Sequence, residues 1–224
     1  LHLGVAVLAL LGGLHLAAAQ LGHQLYAVAD PQDRYPQLQH VGADARLTAD
    51  PGLVREAAGV VLPGVGNFGR CMEALEASGL DELAVECAWS GRPFLGVCVG
   101  MQMLYQGSEE TPAVPGLGVL PGVVRLLPEG VKRPQMQWNV LDRRRESGLL
   151  AGVPEPTWVY FVHSYAADSD RHAVATCDYG GPAVAAVETG ALWATQFHPE
   201  KSGATGMRIL ANFVGRAVEW AAAA

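Results

Sequence analysis

Short apolar runs bounded by glycine or proline dominate the first half of this chain. Four of them have the length of strands and show no apolar/polar alternation: Gly4 to Leu10, Leu25 to Ala29, Gly59 to Leu62 and Pro93 to Val97. Such runs are typical of parallel strands buried on both faces of a sheet. Helical segments are predicted between them at Leu14 to Leu21, Met72 to Ala77 and Leu80 to Trp89. This order predicts an α/β fold, with a mostly parallel central sheet and helices on both of its faces.

The second half of the chain has a different pattern. Prolines and glycines are dense from Thr111 to Pro128, and no helix is predicted between the strands that follow. The predicted strands are Val119 to Leu126, Trp158 to Tyr165, Ala173 to Cys177, Ala183 to Val187 and Ala191 to Phe197. They indicate an antiparallel or mixed extension of the sheet. A last helix, Thr205 to Trp220, has an apolar stripe at helical spacing that we expect to pack in the core; its members are Met207, Leu210, Val214 and Ala217.

The composition of the chain indicates a folded globular protein and excludes several other classes. With 224 residues, 50% hydrophobic and 17% charged, the sequence predicts a single folded domain spanning residues 1–224. A net charge of −7 argues against a nucleic-acid binder, and no apolar run is long enough for a membrane helix. The four cysteines form no C-x-x-C pair, so we expect no metal site and no disulfide framework, and a cytoplasmic location. The apolar start, Leu1 to Ala19, lacks a positive charge and is interpreted as a buried strand and helix rather than an export signal.

The sharpest local motif is Gly96-Val97-Cys98-Val99-Gly100, at the predicted junction of a buried strand and a helix. A tight turn with small neighbours projects its central side chain out of the sheet, and the N-terminus of the helix favours a thiolate. Cys98 is therefore a candidate nucleophile at the sheet edge where open α/β sheets bind ligands. On this motif alone, a small buried cysteine in a glycine-flanked turn explains the residues equally well.

Two further motifs would complete such a site. Gln196-Phe197-His198-Pro199-Glu200 follows a predicted strand and offers an imidazole base with a carboxylate to orient it, although an ordinary surface turn also explains it. Leu62 to Gly69 follows the third apolar run, and its glycines around Val65 would let backbone N–H groups face an oxyanion. A phosphate-binding loop or a plain glycine-rich turn is the alternative there, although the spacing matches neither common phosphate motif.

Together, and in this order along the chain, the three motifs resemble those of the class I (triad) glutamine amidotransferases. Within that family, the details are similar to the glutaminase subunits of imidazole glycerol phosphate synthase. The stretches that support this second resemblance are Pro63 to Gly69, Gly96 to Gln102, Met136 to Asn139, Tyr160 to Tyr165 and Gln196 to Ser202. The resemblance covers essentially the whole chain and implies the α/β fold of that family.

The resemblance implies hydrolysis of L-glutamine to glutamate and ammonia, without a cofactor or metal. Cys98 would attack the side-chain amide, His198 would take the thiol proton and later protonate the ammonia, and Glu200 would orient His198. Backbone N–H groups of Val65 and Val99 would stabilise the oxyanion. The residues that match glutamine-binding positions of the family are Gly66, Gln102, Glu110, Ser164 and Tyr165.

The resemblance also implies a heterodimer with a (β/α)₈ cyclase subunit, which would receive the ammonia. Trp138, Asn139 and Tyr160 match positions at the docking face of the family. Arg143 to Arg145 belong to a basic stretch that either meets acidic groups on the cyclase or forms a solvated loop.

The sequence departs from the family pattern at three places. The first strand ends in Leu8-Ala9-Leu10-Leu11-Gly12-Gly13 where the family has Asp-Tyr-Gly-x-Gly-Asn, and Val99 replaces a usual leucine. Gln135 and Gln137 stand where histidine and glycine are common. These changes lie outside the triad, so we expect altered coupling between subunits rather than altered chemistry. The alternatives are the glutaminase of anthranilate or pyridoxal phosphate synthesis, another cysteine hydrolase, and a binding module without activity.

Overall fold

The computed structural model describes residues 4–8 and 36–223, so the predicted helix Leu14 to Leu21 and strand Leu25 to Ala29 lie outside it. The described strands are β1 (Gly4–Leu8), β2 (Asp44–Thr48), β3 (Gly59–Gly64), β4 (Phe94–Cys98), β5 (Val124–Leu126), β6 (Gln135–Val140), β7 (Asp142–Arg143), β8 (Trp158–His163), β9 (Tyr165–Ala167), β10 (Ala173–Asp178), β11 (Pro182–Thr189) and β12 (Leu192–Thr195). The α-helices are α1 (Pro36–His40), α2 (Pro51–Glu56), α3 (Phe68–Ala77), α4 (Asp81–Trp89), α5 (Val99–Met103) and α6 (Gly203–Ala223), and a 3₁₀ turn covers Pro199–Lys201.

Within the described part of the chain, eight strands form one mixed sheet in the order β2-β1-β3-β4-β12-β11-β10-β7. The pairs from β2 to β12 are parallel, and the pairs from β12 to β7 are antiparallel. Two smaller antiparallel sheets, β5 with β9 and β6 with β8, complete the second half. The prediction of a parallel centre with an antiparallel extension is therefore confirmed.

The apolar runs of the sequence form the core of this sheet. Val60, Leu62 and Leu95 in β3 and β4 are fully buried, which explains why these strands show no alternation of apolar with polar residues. The stripe on α6 is buried as predicted at Leu210 and Val214. Burial on both faces stabilises the central strands and gives the loops at their ends a rigid base.

Two strands are shorter in the structure than the sequence predicts. In the segment Val119 to Leu126 only β5 pairs, because Pro121 and Gly122 interrupt the ladder, with a φ of 107° at Gly122. The segment Trp158 to Tyr165 is divided at Ser164, whose carbonyl accepts a hydrogen bond from the Leu127 amide at 2.9 Å. The chain then turns, so that β8 and β9 pair with different partners.

Three strands and two α-helices of the structure are not predicted from the sequence, namely β2, β6, β7, α1 and α2. Two of the strands, β2 and β6, contain several polar residues, so that apolar runs do not mark them. The helices α1 and α2 have 5 and 6 residues, too few to show helical periodicity. No helix in residues 4–8 and 36–223 has both the length and the apolar character required to cross a membrane.

Candidate active site

The carboxyl ends of β3, β4 and β12 meet at one edge of the sheet. Strand β4 lies between the other two and is parallel to both, and the register pairs Gly64 with Cys98 and Thr195 with Val97. Each of the three sequence motifs follows one of these strands. The topology therefore brings the Val65 loop, Cys98 and the segment of His198 together.

Cys98 occupies a strained turn between β4 and α5. Its φ of 55° and ψ of −114° make it the only non-glycine residue with positive φ in the described part of the chain. Space at the turn is limited, because a Cβ at Gly100 would overlap the Leu62 carbonyl and one at Gly64 would lie 2.7 Å from the Gly100 nitrogen. Strain of this kind is concentrated at functional sites, and it lies at the residue that the motif marks as the candidate nucleophile.

His198 is held by Glu200 and lies beside Cys98. Its Nδ1 donates a hydrogen bond to Glu200 Oε1 at 2.7 Å, which fixes the ring and leaves Nε2 for another partner. Burial lowers the pKa of His198, but the neighbouring Cys98 and Glu200 outweigh that effect and raise the pKa to about 10. Burial also raises the pKa of Glu200, but its hydrogen bond and charge interaction with His198 hold it below the usual value. The three side chains thus form one electrostatically coupled group.

The loop after β3 is fixed by contacts on several sides. Gly66 has a φ of 94°, which favours glycine, and the Cys71 thiol donates to the Val65 carbonyl at 3.4 Å. The Phe68 amide, in the first turn of α3, donates to Glu110 Oε2 at 2.7 Å. A Cβ at Gly64 would lie 2.9 Å from the Val99 Cβ, so this loop and the start of α5 adjoin closely.

A buried amide network lies behind Cys98. Gln102 Nε2 donates to the Tyr165 carbonyl at 3.0 Å and to Gln196 Oε1 at 3.0 Å, so both of its N–H groups are used within the protein. Among the described residues nothing donates to Gln102 Oε1. The Ser164 side chain and the Tyr165 ring, both only partly buried, lie at the junction of β8 and β9. The structure thus brings Gln102 into contact with the Tyr165 backbone and links it through Gln196 to Cys98.

Strands β6 and β8 present an exposed aromatic face. The rings of Trp138 and Tyr160 pack edge to face with centroids 6.1 Å apart. Trp138 is 48% exposed, Trp158 49% and Met136 60%. The Asn139 amide, in contrast, donates to the Asp178 carbonyl at 2.9 Å and is engaged within the chain.

The three arginines at 143–145 have partners inside the protein. Arg143 donates to Thr157 Oγ1 at 2.8 Å and pairs with Glu155 at 3.1 Å. Arg144 pairs with Asp142 at 3.6 Å, and Arg145 donates to the Glu188 carbonyl at 2.6 Å. Arg143 and Arg145 thus link the edge of the sheet to neighbouring segments of the chain, whereas Arg144 pairs with Asp142 of β7.

Comparison with known proteins assigns this arrangement to a family. The family described as glutamine amidotransferase class-I matches residues 37–217. The HisH subunit of imidazole glycerol phosphate synthase from Symbiobacterium thermophilum is 45% identical over 183 residues, covering 81% of this chain and 86% of that protein. The HisH subunit from Methanothermobacter thermautotrophicus is 48% identical over 175 residues, covering 78% and 87%. The chain belongs to the class I glutamine amidotransferases, in the HisH family. This confirms the resemblance drawn from the motifs.

Solved structures confirm the class I amidotransferase fold. A glutamine amidotransferase from Thermotoga maritima superimposes with a TM-score of 0.65 at 16% identity, covering 98% of this chain and 99% of that one. The glutaminase domain of CTPS from Trypanosoma brucei, solved with bound acivicin, gives a TM-score of 0.62 at 16% identity, covering 97% and 94%. The fold therefore persists at identities where most side chains have changed.

One polar residue of this amidotransferase site was not singled out from the sequence. Gln196 is fully buried, and its Nε2 lies 3.9 Å from Cys98 Sγ. The signal available was its place two residues before His198, at the end of a predicted strand that also delivers the imidazole. In the described residues no group of three or more histidine, cysteine or acidic side chains is arranged to hold a metal ion.

Proposed function

We propose that this chain is the glutaminase subunit of an imidazole glycerol phosphate synthase and hydrolyses L-glutamine with Cys98, His198 and Glu200. The observation that supports this most strongly is the coupling of a Glu200-bound imidazole to a cysteine in a strained strand-to-helix turn. The raised pKa of His198 means that the imidazole readily holds the thiol proton. A thiolate beside an imidazolium is the activated form of a cysteine nucleophile.

In the proposed reaction, the Cys98 sulfur attacks the carboxamide carbon of glutamine and its proton passes to His198 Nε2. The tetrahedral intermediate collapses when His198 returns this proton to the departing nitrogen, which releases ammonia and leaves a γ-glutamyl thioester. Water, deprotonated by His198, then attacks the thioester and releases glutamate. Glu200 stabilises the imidazolium at both stages through the 2.7 Å hydrogen bond to Nδ1.

The oxyanion of the intermediate would be stabilised by the backbone N–H groups of Val65 and Val99. Val65 follows β3 and Val99 follows Cys98, and the pairing of Gly64 with Cys98 makes these two peptides neighbours. The Cys71 and Glu110 contacts to the loop reduce the reorganisation required of it during the reaction.

Glutamine would bind across the amide network and this loop. Gln102 has both N–H groups occupied, so its Oε1 is the atom that would accept a hydrogen bond from the substrate ammonium group. Gly66, Glu110, Ser164 and Tyr165 complete the proposed pocket.

The aromatic face of β6 and β8 would receive the (β/α)₈ cyclase subunit, with Trp138, Tyr160 and neighbouring Asn139 in the interface. Ammonia released into water is protonated and loses its nucleophilicity, so delivery to a docked partner is required. Strand β8 connects the two places, because Tyr160 lies on the exposed face and the Val162 carbonyl is 3.9 Å from Cys98 Sγ. We place this assembly in the cytoplasm, where cysteine thiols such as the four of this chain stay reduced.

The test is glutamate release by the chain in complex with its cyclase and the cyclase's nucleotide ligand. Cys98→Ala is expected to abolish release, whereas Cys87→Ala, a substitution at a buried cysteine of α4, is expected to retain it. Persistent release from a folded Cys98→Ala complex would exclude the proposed nucleophile. Stimulation by a chorismate-using enzyme instead of the cyclase would favour another synthase.

A further inference from the structure

We infer that Gln196 is a further catalytic residue, whose side-chain N–H binds the Cys98 sulfur and stabilises its thiolate; this rests on the proposed function of Cys98. The donor, Gln196 Nε2, lies 3.9 Å from Cys98 Sγ, within the range of hydrogen bonds to sulfur. Both residues are buried, with exposed fractions of 0% and 4%. A thiolate withdrawn from water needs donors from the protein, because burial alone disfavours the charged form.

The orientation of the Gln196 amide follows from a chain of hydrogen bonds. The Tyr165 carbonyl can only accept, so the Gln102 atom that contacts it at 3.0 Å is the Nε2 donor. The second N–H of Gln102 donates to Gln196 at 3.0 Å, so the atom of Gln196 that accepts it is Oε1. Gln196 Nε2 is consequently directed at the sulfur. A backbone carbonyl thus fixes both amides, and neither can flip without losing a hydrogen bond in the buried interior.

The surroundings of Cys98 Sγ suit both of its protonation states. In the thiol form, the S–H faces the Val162 carbonyl, which is 3.9 Å away and can accept. In the thiolate form, the sulfur accepts from Gln196 while His198 holds the proton. Gln196 gives up no proton in this step, since the S–H bond breaks and the N–H bond forms at His198 Nε2. Its effect is to favour the ion pair over the neutral pair.

The experiment is alkylation of Cys98 by iodoacetamide as a function of pH, followed by mass spectrometry on the full chain. Cys98 is the thiol expected to react, because burial raises the pKa of Cys71 to about 12 and of Cys177 to about 11, and also raises that of Cys87. Gln196→Met removes the donor at similar length, and Gln196→Asn withdraws it by one methylene. Gln37→Met, on the distant helix α1, is the matched control.

Loss of one hydrogen bond to a charged acceptor should raise the pH midpoint of alkylation by about one unit and lower the rate at neutral pH about tenfold. Both Gln196 variants are expected to show this shift and Gln37→Met none. A residue that only packs would alter the melting temperature and leave the midpoint in place. Unchanged midpoints in the folded Gln196 variants would overturn the inference while leaving glutamine hydrolysis by Cys98 intact. The proposed function fails in a different way. If the Cys98→Ala complex still hydrolyses glutamine, that function is refuted, even when the Gln196 variants shift the midpoint of alkylation.

Discussion

At the scale of single residues, the site depends on charges that are paired within the protein. Glu200 accepts from His198 at 2.7 Å, and its carboxylate is one of the two groups that raise the pKa of the imidazole. The negative charge is therefore as important as the hydrogen bond. An amide in its place would retain a similar shape and lose the charge.

Glu200→Gln should lower the glutaminase kcat of the complex about 10- to 100-fold, below most of the roughly 10²–10⁴-fold range of general acid–base catalysis, because Glu200 acts through His198. Without the carboxylate the pKa of His198 falls, so the limb of the pH–rate profile governed by the imidazolium should move to lower pH. The control is Glu219→Gln, at an exposed glutamate near the end of α6. A profile that does not move would show that Glu200 does not tune His198.

The buried His163 makes the stability of the protein depend on pH. Its Nδ1 donates to the Tyr165 carbonyl at 2.8 Å, and burial lowers its pKa from 6.5 to about 4. The unfolded chain therefore binds a proton at a higher pH than the folded chain, and this contribution to stability is lost as the pH falls from 6.5 towards 4. The loss amounts to about 3 kcal/mol at the acid end.

His163→Asn retains the donor to Tyr165 and does not titrate. Urea unfolding at pH 7 and pH 4.5 should therefore show a smaller difference in the free energy of unfolding for this variant than for the wild type. His40→Asn, at an exposed histidine, should retain the full difference. Equal pH dependence in all three chains would mean that His163 is not the group responsible.

At the scale of elements, a hydrogen-bonded link joins the aromatic strand β8 to the segment of His198. The His198 amide donates to the Tyr160 carbonyl at 3.0 Å. The Ser202 hydroxyl donates to the His198 carbonyl at 2.6 Å and accepts from the Tyr160 amide at 3.0 Å. Ser202 therefore positions the imidazole relative to the proposed docking face.

Ser202→Ala removes the hydroxyl from this link and leaves the Tyr160 amide without its acceptor. We expect a loss of about 1–3 kcal/mol in the free energy of unfolding. We also expect a lower kcat in the complex with little change in KM. Ser202→Thr, which keeps a hydroxyl, should retain most of the activity. The control is Ser78→Ala, which removes a hydroxyl bonded only within α3 and its cap and should leave kcat unchanged. A raised KM at normal kcat would point to substrate binding instead.

The turn between β4 and α5 is tightly packed, and its stability can be tested by substitution. A Cβ at Gly100 would overlap the Leu62 carbonyl, whereas nothing lies within 4 Å of a Cβ at Gly215 in α6. Gly100→Ala should therefore destabilise the protein, because strand or helix backbone must shift. Gly215→Ala should stabilise it by about 1 kcal/mol through helix propensity. Thermal unfolding of the two variants checks both signs, and a stable Gly100→Ala protein would show that the turn is not tightly packed.

At the scale of the whole molecule, we propose the exposed aromatic face of β6 and β8 as the surface that binds the cyclase. Large aromatic side chains dominate binding energy when they are central to an interface. Trp138→Ala and Trp158→Ala should each weaken binding of the cyclase at least about tenfold, as measured by calorimetric titration. Trp89→Ala, in α4, is the control, since Trp89 is 65% exposed but lies outside this face. Unchanged affinity in both test variants would place the interface elsewhere.

The sequence by itself determined β3 and β4, the central strands of the parallel core, and the residue pattern of the turn at Cys98. Uninterrupted apolar runs are required where both faces of a strand are buried, and Gly96 and Gly100 are required around a strained Cys98. Both are short-range effects of side-chain size and polarity. Because these effects involve consecutive residues, they can be recognised in the sequence.

Only the tertiary structure decided which distant residues meet. Strand β12 pairs with β4 and so brings Gln196 and His198 to Cys98. This pairing depends on the order of strands in the sheet rather than on either segment alone. The partners of Arg143 to Arg145 and the buried amide chain behind the sulfur likewise come from residues far apart in the sequence. A local pattern specifies whether a side chain is buried, but its partner is set by packing of the whole chain.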